Sequence, residues 1–322
     1  MEKEDLMKER MKVLIAYDGS AHADAALGDL RRAGLPREAE ALLVSVADGL
    51  VGAYFPVAEV AGPMAMSRRV TSVVELAREQ AVMRLGEARE ALGRARRQVV
   101  SAFPDWEVRS AVPEGDPSEE LLKWTEEWRP HLIVVGSQGR SALGRLLLGS
   151  VSKSVAERAH GSVRVARRGA EKEDGLPPRI VIGADGSAGA TRAVRAVWSR
   201  EWPAGTEVRI VAVDDGSAPV RLADVTPNLE EFGTACNEGP PVNARLMAEG
   251  ARVVLLAKGL SASVEVKEGD PRRVLIEEAV AWSADAIFVG SNGLDRPLDR
   301  TGLGGVAAAL VTGAPCSVEV VR

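Results

Sequence analysis

The chain has 322 residues and a formal net charge of −5. Hydrophobic residues make up 46% and charged residues 27%, a balance that supports a packed core and excludes a disordered chain. The acidic excess argues against general nucleic-acid binding, and the two cysteines, Cys236 and Cys316, with the scattered His22, His131 and His160, form no zinc, dithiol or other metal-ligand spacing.

In chain order, residues 1–10 form a charged extension without the apolar centre of a signal peptide. Residues 13–17 are a short apolar run suited to a buried strand. Asp18-Gly19-Ser20 ends it, and Ser20 is placed to cap a helix through about residue 33. A second strand is expected at 42–47. The apolar stretch 42–66 is broken by Asp48, Pro56, Glu59 and Pro63, so no uninterrupted membrane span is present and a cytoplasmic chain is expected. Residues 70–100 read as a long helix. Its arginines, among them Arg84, Arg89, Arg94, Arg96 and Arg97, alternate with Glu87 and Glu90 as a solvated, ion-paired face. Strands at 107–112, 132–135 and 162–166 alternate with helices at 117–128 and 150–159. This alternation predicts a parallel sheet with helices on both faces.

The order then repeats. Lys12 to Ser20 matches Arg179 to Ser187, Glu114-Gly-Asp-Pro117 matches Glu268-Gly-Asp-Pro271, and Gly136-Ser-Gln-Gly139 matches Gly290-Ser-Asn-Gly293. The shift is 167 residues from Asp18 to Asp185 and 154 from both Asp116 to Asp270 and Gly136 to Gly290, so the second part of each copy reads as ungapped. The chain is thus expected to hold an extension at 1–10, one α/β domain at 11–168, a Gly/Pro/charge-rich linker at 169–178 and a second α/β domain at 179–322. Strands of the second copy are expected at 180–184, 208–213, 263–266, 286–289 and 317–321.

In a doubly wound sheet, ligands sit beyond the carboxyl ends of the strands. Asp18, Val46 and Gly136 all fall at such ends. The segment from Gly136 to Ser152 contains Gly136, Gly139, Gly149 and Ser150, and has the composition of an anion cradle leading into a helix. Glycines permit close backbone approach, and a helix start offers free N–H groups and a favourable dipole. The hydroxyls of Ser150 and Ser152 can add donors. The same spacing also suits a plain glycine-rich loop followed by a serine cap. Other motifs are weaker. Ser150-Val151-Ser152-Lys153 has S-x-x-K spacing without companion motifs, Gly302 to Ala307 imitates a dinucleotide fingerprint in the wrong place, and there is no Walker loop.

The Gly-x2-Gly-x9-Gly-Ser pattern of Gly136, Gly139, Gly149 and Ser150 resembles the ATP-binding signature of the universal stress protein family. The Asp18-Gly-Ser opening, the Gly115-Asp-Pro loop and the Val-rich final strand extend the resemblance over both copies. It implies two tandem Rossmann-like, adenine nucleotide alpha hydrolase-like domains, each doubly wound with a five-stranded, mostly parallel sheet. It also implies that Asp18 meets the ribose or adenine side, that the Val46 backbone meets adenine, and that Gly136, Gly139, Gly149 and Ser150, with the adjoining Val151 and Ser152, hold ribose and phosphates. ATP, or its ADP and AMP forms, is the implied ligand, with Mg²⁺ accompanying the triphosphate. Arg140 either reaches phosphate or is a solvated arginine.

The second copy keeps Asp185, Val213, Gly290 and Gly293. Under the ungapped alignment Leu303 and Gly304 replace Gly149 and Ser150, which spoils the loop unless a turn shifted by one residue rebuilds it. Asp295 and Asp299 oppose phosphate there, offset by Arg296 and Arg300. The second copy is therefore expected to be either a lesser nucleotide site or a structural partner.

The resemblance further implies pairing of the two copies through their final strands as an intramolecular pseudo-dimer, with homodimerisation of chains also conceivable. No general base with a positioned partner is visible, so ATP is expected to be hydrolysed slowly or not at all. The competing reading is a scaffold of the same fold that binds protein partners or another small ligand, with residues 50–66 as a lid or partner surface. An enzymatic reading, such as a phosphohydrolase, lacks a catalytic set.

Overall fold

The computed structural model describes residues 10–47, 68–139, 148–167, 176–214, 244–293 and 302–322. The lid candidate at 50–66, Arg140, most of the linker and the charges at 295–300 lie outside the described residues.

The first copy runs β1 (Met11–Ala16), α1 (Ala21–Asp29), β2 (Ala39–Val44), α2 (Arg68–Ala102), β3 (Glu107–Ala111), α3 (Pro117–Trp128), β4 (Leu132–Gly136), α4 (Ser150–Arg158) and β5 (Ser162–Ala166). The second runs β6 (Arg179–Ala184), α5 (Ala188–Trp198), β7 (Glu207–Asp214), α6 (Ala244–Ala257), β8 (Ser261–Glu268), α7 (Pro271–Ala281), β9 (Ala286–Gly290), α8 (Gly305–Gly313) and β10 (Ser317–Val321).

The cores of the strands are Val, Ile, Leu and Ala, as expected where helices cover both faces. Four of the helix starts are set by short polar caps. Ser20 and Ser187 accept from the N–H groups of Ala23 and Ala190, and Asp116 and Asp270 cap α3 and α7 with proline in the first turn. Helix α1 is shorter than its periodicity predicts. It closes at Asp29 and tightens into a 3-10 turn over Leu30–Arg32, which satisfies late carbonyls before Gly34 reverses the chain.

Each copy contributes five strands, and the ten join in one sheet of order β3-β2-β1-β4-β5-β10-β9-β6-β7-β8. Every neighbouring pair is parallel except β5 with β10, which is antiparallel in the register Val165–Val318, Arg164–Glu319 and Val163–Val320. The copies therefore meet through their final strands. On one face a single apolar cluster crosses this seam, including Val163 and Val165 with Val318 and Val320. On the other face each copy keeps its own cluster. Within each copy the strand order reverses between β1 and β4, or between β6 and β9. That reversal opens a crevice at the carboxyl edge.

Candidate functional site

Four connections of the first copy converge on this edge. After β1, Asp18 accepts the Ser20 N–H at 2.9 Å through Oδ1, and Gly19 supplies the positive φ of 76° that the turn requires. After β2, Val46 is half-buried against the core, between Ser45 and Ala47, whose N–H groups bond to the Ala111 and Pro113 carbonyls. After β3, Gly115 N–H bonds to the Ala47 carbonyl, which ties that loop to the same rim. After β4, Gly139 lies beside Asp18: a β-carbon there would stand 3.1 Å from Asp18 Oδ2.

Gly136 has a different reason to be glycine. A β-carbon on it would lie 2.9 Å from the backbone carbonyl of His22, so the space above it is filled by the start of α1. The residue lets the start of α1 approach the strand end closely.

Gly149 is the N-cap of α4, with φ −65° and ψ 150°, and its N–H bonds to the Ser137 carbonyl at 2.8 Å. This folds the loop back so that the helix begins directly over Ser137 and Gln138. No side chain caps α4, in contrast to α1, α3, α5 and α7. Its first-turn N–H groups thus lack the side-chain acceptor that those helices carry, and they form with the dipole an electropositive end at the crevice. Ser150 is exposed in that first turn, and Val151 packs partly against the core.

Ser152, a candidate donor to phosphate, lies in the same first turn. The hydroxyl is buried and donates to the Gly136 carbonyl at 2.6 Å, and a serine has only one proton to give. Ser152 fastens α4 to the end of β4.

The second copy has the same construction. Asp185 accepts the Ser187 N–H at 2.9 Å, Gly186 has φ 82°, and a β-carbon on Gly293 would lie 2.9 Å from Asp185 Oδ2. Val213 lies near the end of β7, partly packed on the core, and Gly290 is pressed against Gly189 of α5. The ungapped alignment of the loop is overturned. Gly304, not Leu303, is the N-cap of α8, with φ −64°, ψ 159° and its N–H on the Ser291 carbonyl at 2.8 Å. One extra residue is accommodated between Gly293 and Gly304, so Leu303 corresponds to Leu148 and both pack partly against the apolar cluster. Gly305 takes the place of Ser150. The loop is shifted rather than spoiled. The signal was present in the sequence, since the final strands, Ser162 to Ser317, are related by 155 residues and not 154.

Tyr17, buried just before Asp18, donates its hydroxyl to Asp24 at 2.6 Å. Burial and that bond push its pKa up to about 12, so it stays a neutral phenol beside the crevice. Among the described residues no group of three or more His, Cys, Asp or Glu is placed to hold a metal ion, and no helix is long and apolar enough to cross a membrane.

The family model described as "Universal stress protein family" matches residues 9–167 and again 178–322. The chain belongs to the universal stress protein family. A universal stress protein of Mycolicibacterium smegmatis is 26% identical over 316 residues, covering 96% of both chains, so the tandem arrangement extends along the full length of that relative. One from Methanocaldococcus jannaschii is 34% identical over 84 residues, which is 26% of this chain and about half, 47%, of that protein. Among solved structures, a universal stress protein from Archaeoglobus fulgidus superposes with a TM-score of 0.59 at 22% identity, over 97% of this chain and 98% of that one. The likeness confirms the Rossmann-like fold of a tandem universal stress protein.

Sequence reasoning missed one group of residues altogether. Arg164 and Glu319 stand in the middle of final strands that were read only as apolar, and both are fully buried. The sign was an arginine and a glutamate at matched positions of Ser-Val-Arg-Val-Ala and Ser-Val-Glu-Val-Val.

Proposed function

We propose that this universal stress protein binds an adenine nucleotide, ATP with Mg²⁺ or its ADP and AMP forms, and acts as a cytoplasmic stress-response regulator rather than as a rapid hydrolase. The observation that carries this reading is the start of α4. A helix of nine residues opens on Gly149 with no side-chain cap, at the crevice where the strand order reverses. Phosphate would sit on the first-turn N–H groups, with Gly139 and Asp18 flanking the ribose and the Val46 backbone meeting the base. Arg140 would add a cation to the phosphates. Mg²⁺ would come with the triphosphate. The α8 start at Gly304 repeats the arrangement, so a second, weaker site formed with Asp185, Val213, Gly290 and Gly293 belongs to the same proposal. Slow turnover is supported by Asp18, whose Oδ1 already holds the Ser20 N–H of its own turn.

Ser150→Asp tests the site cleanly. Ser150 is exposed, and an acid in the first turn of a helix favours folding while repelling phosphate. Unchanged or raised Tm with ATP affinity weakened by about tenfold or more, a loss of about 1.4 kcal/mol, is expected from titration calorimetry. Full ATP affinity in this variant would remove the phosphate from α4. Multiple-turnover hydrolysis at ordinary enzyme rates, lost in Asp18→Asn, would overturn the regulatory reading.

A further inference from the structure

The seam between the halves carries charge where a parallel-sheet interior ordinarily carries apolar side chains. Val163 and Val165 of β5, and Val318 and Val320 of β10, point into the shared apolar cluster. Arg164 and Glu319 point to the opposite face. They are directly opposite one another in the antiparallel register. Because they occupy the same position in the two copies, they lie on the local two-fold axis that relates the halves.

The pair sits in a buried row of four charges. Arg164 reaches Asp29 of α1 at 2.5 Å (Nε to Oδ2) and 3.1 Å (Nη2 to Oδ1), and Glu319 at 3.3 Å. Glu319 in turn holds Arg200, through Oε2 at 2.9 Å and through a second contact at Oε1. The row is closed by neutral partners. Arg200 donates to the Ala33 carbonyl at 2.8 Å, Ser317 donates to Asp29 at 2.9 Å, and the Phe288 ring lies 5.9 Å from the Arg164 guanidinium and 5.1 Å from that of Arg200. The signs alternate: Asp29 and Arg164 from the first half, Glu319 and Arg200 from the second.

An isologous pairing sets the residue on the axis against its own twin. Two first halves joined through β5 would bury arginine against arginine, and two second halves joined through β10 would bury glutamate against glutamate. Like charges brought together in an interface cost several kcal/mol. A buried ion row is a weak source of stability but a strong selector of partners.

We propose that the final-strand surface of each half is built to accept the other half and to reject its own twin. The β5–β10 surface is then closed to homodimerisation between identical halves. Its only fitting partner is the complementary half, from the same chain or from a second copy by exchange.

Two full-length variants carrying different affinity tags test this. Glu319→Arg puts a third guanidinium beside Arg164 and Arg200. Arg164→Glu puts a third carboxylate beside Asp29 and Glu319. Produced alone, each should lose the native seam and show a lowered Tm. Produced together, the first half of the Glu319→Arg chain still offers Arg164, and the second half of the Arg164→Glu chain still offers Glu319. A native seam can therefore form between the two chains. Tandem purification and native mass spectrometry should recover a one-to-one heteromer at about tenfold or more over either variant paired with a differently tagged copy of itself. A seam with a merely structural role would not show this cross-rescue. The proposal fails if either variant alone keeps the wild-type mass and Tm. It fails equally if the two chains pair no better with each other than with themselves, including the case in which both are insoluble separately and together.

Discussion

At the scale of single residues, the glycines of the loop divide by what presses on them. Gly136 and Gly290 are required by packing: a β-carbon would lie 2.9 Å from the His22 carbonyl in the first case and 2.5 Å from Gly189 backbone in the second. Gly136→Ala should therefore destabilise the protein by about 1–3 kcal/mol, the range for overfilling a tight contact, whether or not nucleotide is present. Gly28, inside α1, has no atom within 4 Å of its would-be β-carbon. Gly28→Ala should raise stability by up to about 1 kcal/mol through helix propensity. Denaturant titration of the pair checks both signs, and a neutral Gly136→Ala would show that α1 can retreat from β4. Sequence spacing marks Gly136 as a position that needs glycine and leaves the reason open, and the family resemblance places it at a ligand. A pattern records that a side chain is forbidden, not which neighbour forbids it. Spacing is equally silent on Ser152, whose bond to the Gly136 carbonyl depends on where α4 lands.

At the scale of elements, alternating periods and turn residues made the strand–helix order readable, and every expected strand exists. Ends were less legible. β2 closes at Val44 rather than at 47, because beyond it the chain bonds only toward the β3 side, through Ser45 and Ala47. Helix ends also hold contacts that no local pattern reveals. Arg167, just after β5, donates to the Val311 and Thr312 carbonyls at 2.6 and 2.7 Å, at the end of α8. Arg322, just after β10, reciprocates on the Ala156 carbonyl of α4 at 2.5 Å. Each half thus places a cation at the carboxyl end of the other half's loop helix, where the dipole favours it. Arg167→Met should cost about 1.5–3 kcal/mol, the range for hydrogen bonds to charged groups, seen as a lower denaturation midpoint. A stability change within experimental error would show that water replaces the guanidinium.

A buried carboxylate at the second copy's sheet face gives a pH prediction at the same scale. Glu278 of α7 is held by Lys267 and by Arg209, the latter stacked 4.3 Å from the Trp282 ring. Desolvation works to raise its pKa, but the hydrogen bonds from the two cations outweigh it, and the value falls below the ordinary 4.5. A lowered folded-state value means that the contribution to stability is complete above the unfolded pKa. It is lost as pH falls through the folded one. Glu278→Gln should lower Tm at neutral pH and leave a smaller difference from wild type as the pH is taken down below the ordinary 4.5. An equal difference at every pH would remove Glu278 from the acid limb.

At the scale of the whole molecule, the repeat was the most legible feature and the seam the least. Duplicated markers revealed two copies and the resemblance implied that they meet through their last strands, but only the register places Arg164 against Glu319. The two faces of the seam then differ in kind. One holds a continuous apolar cluster that joins α3 and α4 to α7 and α8. The other holds the charged row between two separate clusters. Additional ties are Arg32 to Asp285 at 2.9 Å, Glu201 N–H to the Gly34 carbonyl at 3.0 Å, and the Trp202 ring packed on Gly34. A core shared across the seam means that unfolding either half exposes apolar surface of the other, at about 25 cal/mol per Å². The two halves should consequently unfold as one cooperative unit. Calorimetry should give a single transition whose van't Hoff and calorimetric enthalpies agree, in spite of the two-copy sequence. Glu319→Arg, by opening the seam, should split that transition into two. If wild-type protein already shows two separated transitions, the halves are energetically independent and the β5–β10 strands join two domains without making them one.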